Sequence, residues 1–276
     1  RWAASRDMLD LDPAATILAE TRIHASPDPY FRERMPWRTG TAKLDTGPVA
    51  VVHLHGEVAR GDRVRLSLRL DRAGQGVLVA LPESGSPAME EDPMTRAMGT
   101  HVKHRRVLVT DARSEVAAPL VEALLAAGAA HVVLGEPEPW RRWPGRARFE
   151  GREDVTLMKL DVTDPDSLKT LAGEIGGKTD ILINTARFLR PGGILGQDTI
   201  HARDEMEVNA LGLMRLAQAF GPGMAARTAD GINSSAAFVT LLSAYALSPD
   251  PRLGAFCASQ AAARSVAQTL RAEVAE

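Results

Sequence analysis

The feature that most constrains this chain is an alternation of short apolar runs with amphipathic stretches from Arg105 to its last residue. Arg106-Val107-Leu108-Val109-Thr110 has the length and β-branched content of a strand buried on both faces. A helix follows over residues 117–128, with Leu120, Leu124 and Leu125 on one side and Gly128 as its stop. Further strands are expected at 131–134, 155–160, 180–184 and 237–242, and further helices at 165–175, 204–220 and 258–276. Strands separated by helices pair in parallel, because each helix is a crossover that returns the chain to the same end of the sheet. The expectation is therefore an α/β fold, a Rossmann-type doubly wound parallel sheet covered on both faces.

Residues 1–81 differ in character. Asp12 ahead of Pro13 reads as the cap and first turn of a helix over 13–22. The Pro- and Arg-rich stretch 26–40 reads as irregular. Apolar runs at 49–54, 64–70 and 77–81 have strand character, and the middle one alternates as Val64-Arg65-Leu66-Ser67-Leu68-Arg69-Leu70. Turns at Arg60-Gly61-Asp62 and Ala73-Gly74-Gln75-Gly76 separate them, so a small antiparallel sheet is the simplest arrangement. Residues 82–104, with Pro82, Pro87, Pro93 and the run Glu90-Glu91-Asp92, form the expected linker to the domain at 105–276.

Composition narrows the partners. Lys and Arg number 33 against 35 Asp and Glu, a net charge of -2, so neither a nucleic-acid nor a membrane partner is expected. The single cysteine, Cys257, cannot form an internal disulfide, which fits a reducing, cytoplasmic compartment. Residues 1–12 are polar and mixed in charge, unlike a secretory signal. His53 and His55 fall on one face of a strand, but only Glu57 lies nearby, so exposed strand histidines are expected and no metal site. Cys257 has no histidine at a suggestive spacing and reads as a packing residue.

Several short motifs occur in a fixed order. Thr110-Asp111-Ala112-Arg113-Ser114-Glu115-Val116-Ala117 follows the first strand, Leu160-Asp161-Val162 the third, and Ile183-Asn184-Thr185-Ala186-Arg187 the fourth. Val208-Asn209 lies on a helix, and Ser243 stands 13 residues before Phe256-Cys257-Ala258-Ser259-Gln260. In order and spacing these resemble the short-chain dehydrogenase/reductase family, over roughly the last 170 residues. The resemblance implies an NAD(P) site at Thr110, Asp111, Arg113, Glu115, Asp161, Val162, Asn184 and Ala186. It implies catalytic positions at Asn209, Ser243, Phe256 and Gln260.

This sequence departs from the family at the residues that carry the chemistry. Asp111, Glu115 and Ala117 stand where the family has the glycines of TGxxxGxG, which let the backbone approach a pyrophosphate. Side chains there fill that space, and two of them are carboxylates; the loop reads as an ordinary helix start with Asp and Glu complementing its amides. Phe256 replaces the general acid/base tyrosine and Gln260 the lysine four residues on. Tyr245 is followed four residues later by Pro249, and no lysine occurs after Lys178, so no shift of register restores the pair. No cofactor is therefore expected to bind in the family manner. In the family an Arg of the segment 141–148 would meet the 2′-phosphate of NADP; a solvated loop is expected instead, and stacking of a base on Trp143 is not.

The family continues beyond this point with a strand, a substrate loop and a last strand. A fragment, a processed chain or a polypeptide completed elsewhere is accordingly expected, and residues 238–242 stand at an unpaired sheet edge if nothing completes it. The expectation for function is a non-catalytic subunit or module, paired through its Ala-rich last helices with another copy or with a relative. An active NAD(P)-dependent oxidoreductase with an atypical site and a ligand-binding module remain as alternatives.

Overall fold

The computed structural model describes residues 12–26, 35–70, 76–83, 100–229 and 236–274. The chain divides into two compact units, Arg1–Gly99 and Thr100–Val274.

In the first unit β1 (Ala14–Ile23), β2 (Trp37–Leu44), β3 (Val49–Leu54), β4 (Arg63–Leu70) and β5 (Gly76–Pro82) close into a barrel in the order β1-β2-β3-β5-β4. Inward residues Ala15, Ile17, Ala42, Val52, Leu54, Val64, Leu66 and Ala80 fill it. This corrects the expected helix over 13–22, which is β1. Asp12 accepts from the Ala14 N–H at 3.0 Å, but at the start of a strand. Alanine propensity gives way because Ala15 and Ile17 are buried two apart, and β1 pairs with both β2 and β4. The small antiparallel sheet is likewise corrected: β3 and β5 run parallel, and β1 and β2 complete a closed barrel. β2 takes in part of the stretch expected to be irregular. Its Gly40 marks a close approach, since a Cβ there would stand 2.4 Å from the Ala19 carbonyl oxygen. Residues 1–11, 27–34 and most of the expected linker, 84–99, lie outside the described residues.

The second unit runs β6 (Arg106–Val109), α1 (Ala117–Ala126), β7 (His131–Glu136), β8 (Val155–Lys159), α2 (Pro165–Ile175), β9 (Ile181–Asn184), α3 (Thr199–Met206), α4 (Gly212–Ala229), β10 (Ala237–Thr240) and α5 (Gly254–Glu273). All strands are parallel, in the order β10-β9-β6-β7-β8. Val107 and Val109 feed one apolar layer with α1, while Leu108 feeds the other with α2 and α4. That division is the period-two signature of a strand covered on both faces. Between β7 and β8 no α-helix forms; Trp143 and Phe149 stack at 6.2 Å and complete the layer beside α1. β10 pairs with β9 and ends the sheet.

The single helix expected over 204–220 starts earlier and is interrupted. Asp198 caps α3 by accepting from the Ile200 N–H, and a π-turn at Glu207–Leu211 separates α3 from α4. That turn places one extra residue in the helix and carries Asn209. The strand order reverses at β6, flanked by β9 and β7, so the crevice at the carboxyl ends of these strands is where a ligand site belongs. No helix among the described residues is long and apolar enough to cross a membrane.

Candidate functional site

The motif residues converge on that crevice. Thr110 follows β6 directly, and its hydroxyl donates to Asn184 Oδ1 at 2.8 Å while accepting from the amides of Thr185 and Ala186. Thr185 returns the contact, accepting from the Asp111 N–H at 3.0 Å and donating to the Asp111 carbonyl at 3.1 Å. Thr110, Asn184 and Thr185 are buried, so this network fixes β6 against β9 in a low-dielectric setting. Asp161 accepts from the Thr163 N–H and hydroxyl, at 2.9 and 2.7 Å, in a turn of its own. Val162 packs so close to α4 that a Cβ on Gly212 would stand 2.8 Å from its Cγ2.

The loop from Asp111 to Val116 corrects the expected cap. Val116 occupies the N-cap of α1 with a helical backbone and no side-chain cap, and the first turn has no acidic residue. Asp111 instead bonds the Arg113 N–H at 2.9 Å and its guanidinium at 3.3 Å. Five residues before the N-cap, its carboxylate is engaged locally. Three of the loop amides are engaged too: Ala112 donates to the Gly135 carbonyl, Ser114 to that of Asp111 and Ala117 to that of Ser114. A pyrophosphate cradle needs such amides free and no side chains in front of them. The Ala117 methyl is buried in the core rather than in front of the amides, whereas the Asp111 carboxylate is folded into the turn where a pyrophosphate would approach.

Sequence reasoning passed over Glu136. It closes β7, is 3% exposed, and accepts from Trp143 Nε1 and Arg146 Nε, each at 2.8 Å. The hydrogen bond that Arg146 donates to Glu136 raises the pKa of its guanidinium above the ordinary value. An acid at the end of the second strand is the family's group for a ribose diol, a signal that could have found it. Here its oxygens are occupied from within. The Arg-rich segment is thereby divided: Trp143 is buried, Arg146 faces Glu136, and Arg141 pairs with Glu138 at 3.2 Å.

At the catalytic positions Asn209 donates to the Phe188 carbonyl and to Ser259 Oγ, both at 2.8 Å, and accepts from the Phe188 N–H. It holds the loop after β9 and the start of α5. Phe256 is 1% exposed and meets the Tyr245 ring edge-on at 6.4 Å. Gln260, 3% exposed, accepts the Ser243 N–H at 2.8 Å, and Ser243 Oγ accepts the Tyr245 N–H at 3.2 Å. The four positions are thus brought together. Phe256 carries no transferable proton, and the Gln260 amide oxygen is committed to the backbone. Cys257 is buried, with the Asp250 N–H directed at its Sγ at 3.3 Å.

In the barrel His53 is not an exposed strand histidine: it is half-buried and accepts from Trp37 Nε1 at 2.7 Å. His55 lies beyond the end of β3, so the two do not share one strand face. Among the described residues no group of three or more His, Cys, Asp or Glu is placed to hold a metal.

Comparison with known proteins accords with this architecture. Residues 105–276 match the family model described as short chain dehydrogenase, and residues 10–69 match one described as the C-terminal OB-fold domain of ChsH2. An uncharacterized oxidoreductase of Mycobacterium bovis is 31% identical over 187 residues, 64% of this chain and 53% of that protein. The short-chain dehydrogenase ptmH of Penicillium ochrochloron is 30% identical over 126 residues, 44% of this chain and 43% of its own. The chain thus spans about half the length of the curated relatives it matches. A short-chain dehydrogenase from Burkholderia cenocepacia, solved in complex with NADP, superposes with a TM-score of 0.56 at 28% identity, covering 63% of this chain and 68% of that one. One from Streptomyces avermitilis gives 0.55 at 25% identity, covering 63% and 62%. On the strength of the match over residues 105–276, the chain belongs to the short-chain dehydrogenase family of oxidoreductases.

Proposed function

We propose that this chain is a short-chain dehydrogenase scaffold that has given up catalysis and serves as an assembly module of an oxidoreductase or multidomain synthase. The carrying observation is the internal closure of the site, where Gln260 is bonded to the Ser243 N–H and Phe256 is buried under Tyr245. A hydride transfer to a carbonyl needs a proton delivered at the developing alkoxide, and neither side chain has one to deliver. The amides of Ala112, Arg113, Ser114 and Ala117 in the loop, and the Glu136 carboxylate, which would hold a dinucleotide, are engaged within the protein. Oligomerisation with a second copy or an intact relative is supported by Leu211 and Met214, exposed on the π-turn and α4.

The rival reading, an active NAD(P)-dependent enzyme, draws on Asn209 and Ser243, which stand in place, and on the NADP complex of the 28%-identical neighbour. Calorimetric titration with NAD(H) and NADP(H) separates the two. No saturation in the micromolar range is expected. Micromolar binding together with turnover of the nicotinamide would overturn the non-catalytic reading.

A further inference from the structure

β8 closes the order β10-β9-β6-β7-β8 and is paired on one side only, by β7. The Asp154 carbonyl accepts from the Val132 N–H at 2.9 Å, and the Leu160 N–H donates to the Glu136 carbonyl at 3.1 Å. In a strand the N–H and C=O of every second residue face the same neighbour, so Thr156 and Met158 complete that ladder. The main-chain groups of Val155, Leu157 and Lys159 are left pointing outward, without a hydrogen-bond partner among the described residues. A row of unpaired N–H and C=O groups is a template for one more strand. A groove of about 290 Å³ lies on this open side, lined from β8, α2 and the turn between them, with nothing from β7. Met158 and Leu171 give it apolar surface, while Asp166, Thr170 and Glu174 stand exposed along α2, one turn apart. Lys159 in the lining lies 3.8 Å from Asp164, whereas neither Asp166 nor Glu174 has an ion-pair partner among the described residues.

We infer that this edge receives an extended, basic segment of a partner protein, added to the sheet through main-chain hydrogen bonds with β8 and held by its cations against Asp166 and Glu174. Spacing and charge both favour that occupant. Asp166 and Glu174 are two helical turns apart, about 12 Å along α2. Side chains four residues apart on one face of a strand are separated by about 13 Å. A strand with cations at its second and sixth positions and an apolar residue at the fourth therefore meets Asp166, Glu174 and the Met158–Leu171 surface together. In strand addition the main-chain bonds supply affinity and the alternate side chains supply the choice of partner. The contact goes beyond the assembly reading, because it lies on a different element from Leu211 and Met214 and holds whatever those two residues do.

The test uses the full chain and two end-blocked peptides, Thr-Arg-Thr-Val-Thr-Arg-Thr and its counterpart with Glu in place of both Arg. Hydrogen exchange followed by NMR reads the amides of Leu157 and Lys159. They should exchange freely in the protein alone and become protected as the Arg peptide is added, up to about 1 mM. The Glu peptide should need about fivefold more for the same protection, a difference that added salt narrows. Asp166→Lys together with Glu174→Lys reverses both charges at exposed positions and should reverse the preference, with circular dichroism unchanged. Should that variant not fold, the comparison of the two peptides on the parent decides alone. Equal protection by both peptides, or none by either, overturns the inference. Protection already present without peptide overturns it as well, because a second copy or another part of this chain then holds the edge. The readout involves neither nicotinamide nor α4, so its failure is distinct from failure of the proposed function.

Discussion

At the scale of single residues, Gln260 shows what stands where the family has a lysine. Its amide oxygen accepts the Ser243 N–H at 2.8 Å inside a buried helix start, so the substitution yields a structural tie. Gln260→Leu keeps most of the volume and leaves that amide unpaired; the cost should be about 1–3 kcal/mol, read as a lower midpoint in urea. A second test concerns Asp250, whose carboxyl is drawn down to about 2, chiefly by its side-chain hydrogen bond from Arg252. Its folded value lies below the ordinary one of about 3.9, so the stability it contributes is complete above that pH and is lost as pH falls toward 2. In Arg252→Gln the carbon resonance of the Asp250 carboxyl should titrate closer to the ordinary range. An unchanged titration would refute the pairing. The absence of tyrosine at 256 and lysine at 260 is legible in the letters alone. The Gln260 tie is not, because only the folded backbone brings residues 17 apart in sequence into bonding distance.

Elements were legible where a local signal and the packing agree. α2 is the clearest: Asp164 ahead of Pro165 marks its start, and the carboxylate accepts from the amides of Asp166 and Ser167 at 3.0 and 3.2 Å. Asp164→Ala should cost about 1 kcal/mol, measured by thermal denaturation. α1 gives the contrast. Val116 holds the N-cap with φ -88° and ψ -13°, short of the extended conformation from which a side chain reaches the amides. Val116→Ser should therefore bring no gain in the same measurement, and a clear stabilisation would show that the loop can be remodelled. Asp111 and Glu115 looked like capping residues because composition cannot say how many residues separate an acid from the first helical turn. β1 was misread for a related reason: its alanines fit a helix, and only pairing with strands far along the chain decides otherwise. The π-turn has no local letter code, although Asn209 within it is one of the family positions.

At the scale of the whole molecule, the parallel sheet could be read from alternation alone, whereas closure of the barrel depends on register between short strands. Neither exposes by itself what the molecule associates with; that argument rests on what the fold leaves outside. Leu211 and Met214 stand three residues apart, each 41% exposed, on a surface whose buried neighbours Leu213 and Leu216 belong to the core. Residues at that spacing share a helix face, so the two form one apolar stripe. If the chain is an assembly module, that stripe is part of a contact with a second copy or with an intact relative. Leu211→Glu together with Met214→Glu places two carboxylates there without disturbing Leu213 or Leu216. Sedimentation velocity should show the parent as a complex, alone or mixed with an intact short-chain dehydrogenase, and the double variant as a monomer with unchanged circular dichroism. A parent that sediments as a monomer under both conditions would leave the module without a partner and remove the assembly reading.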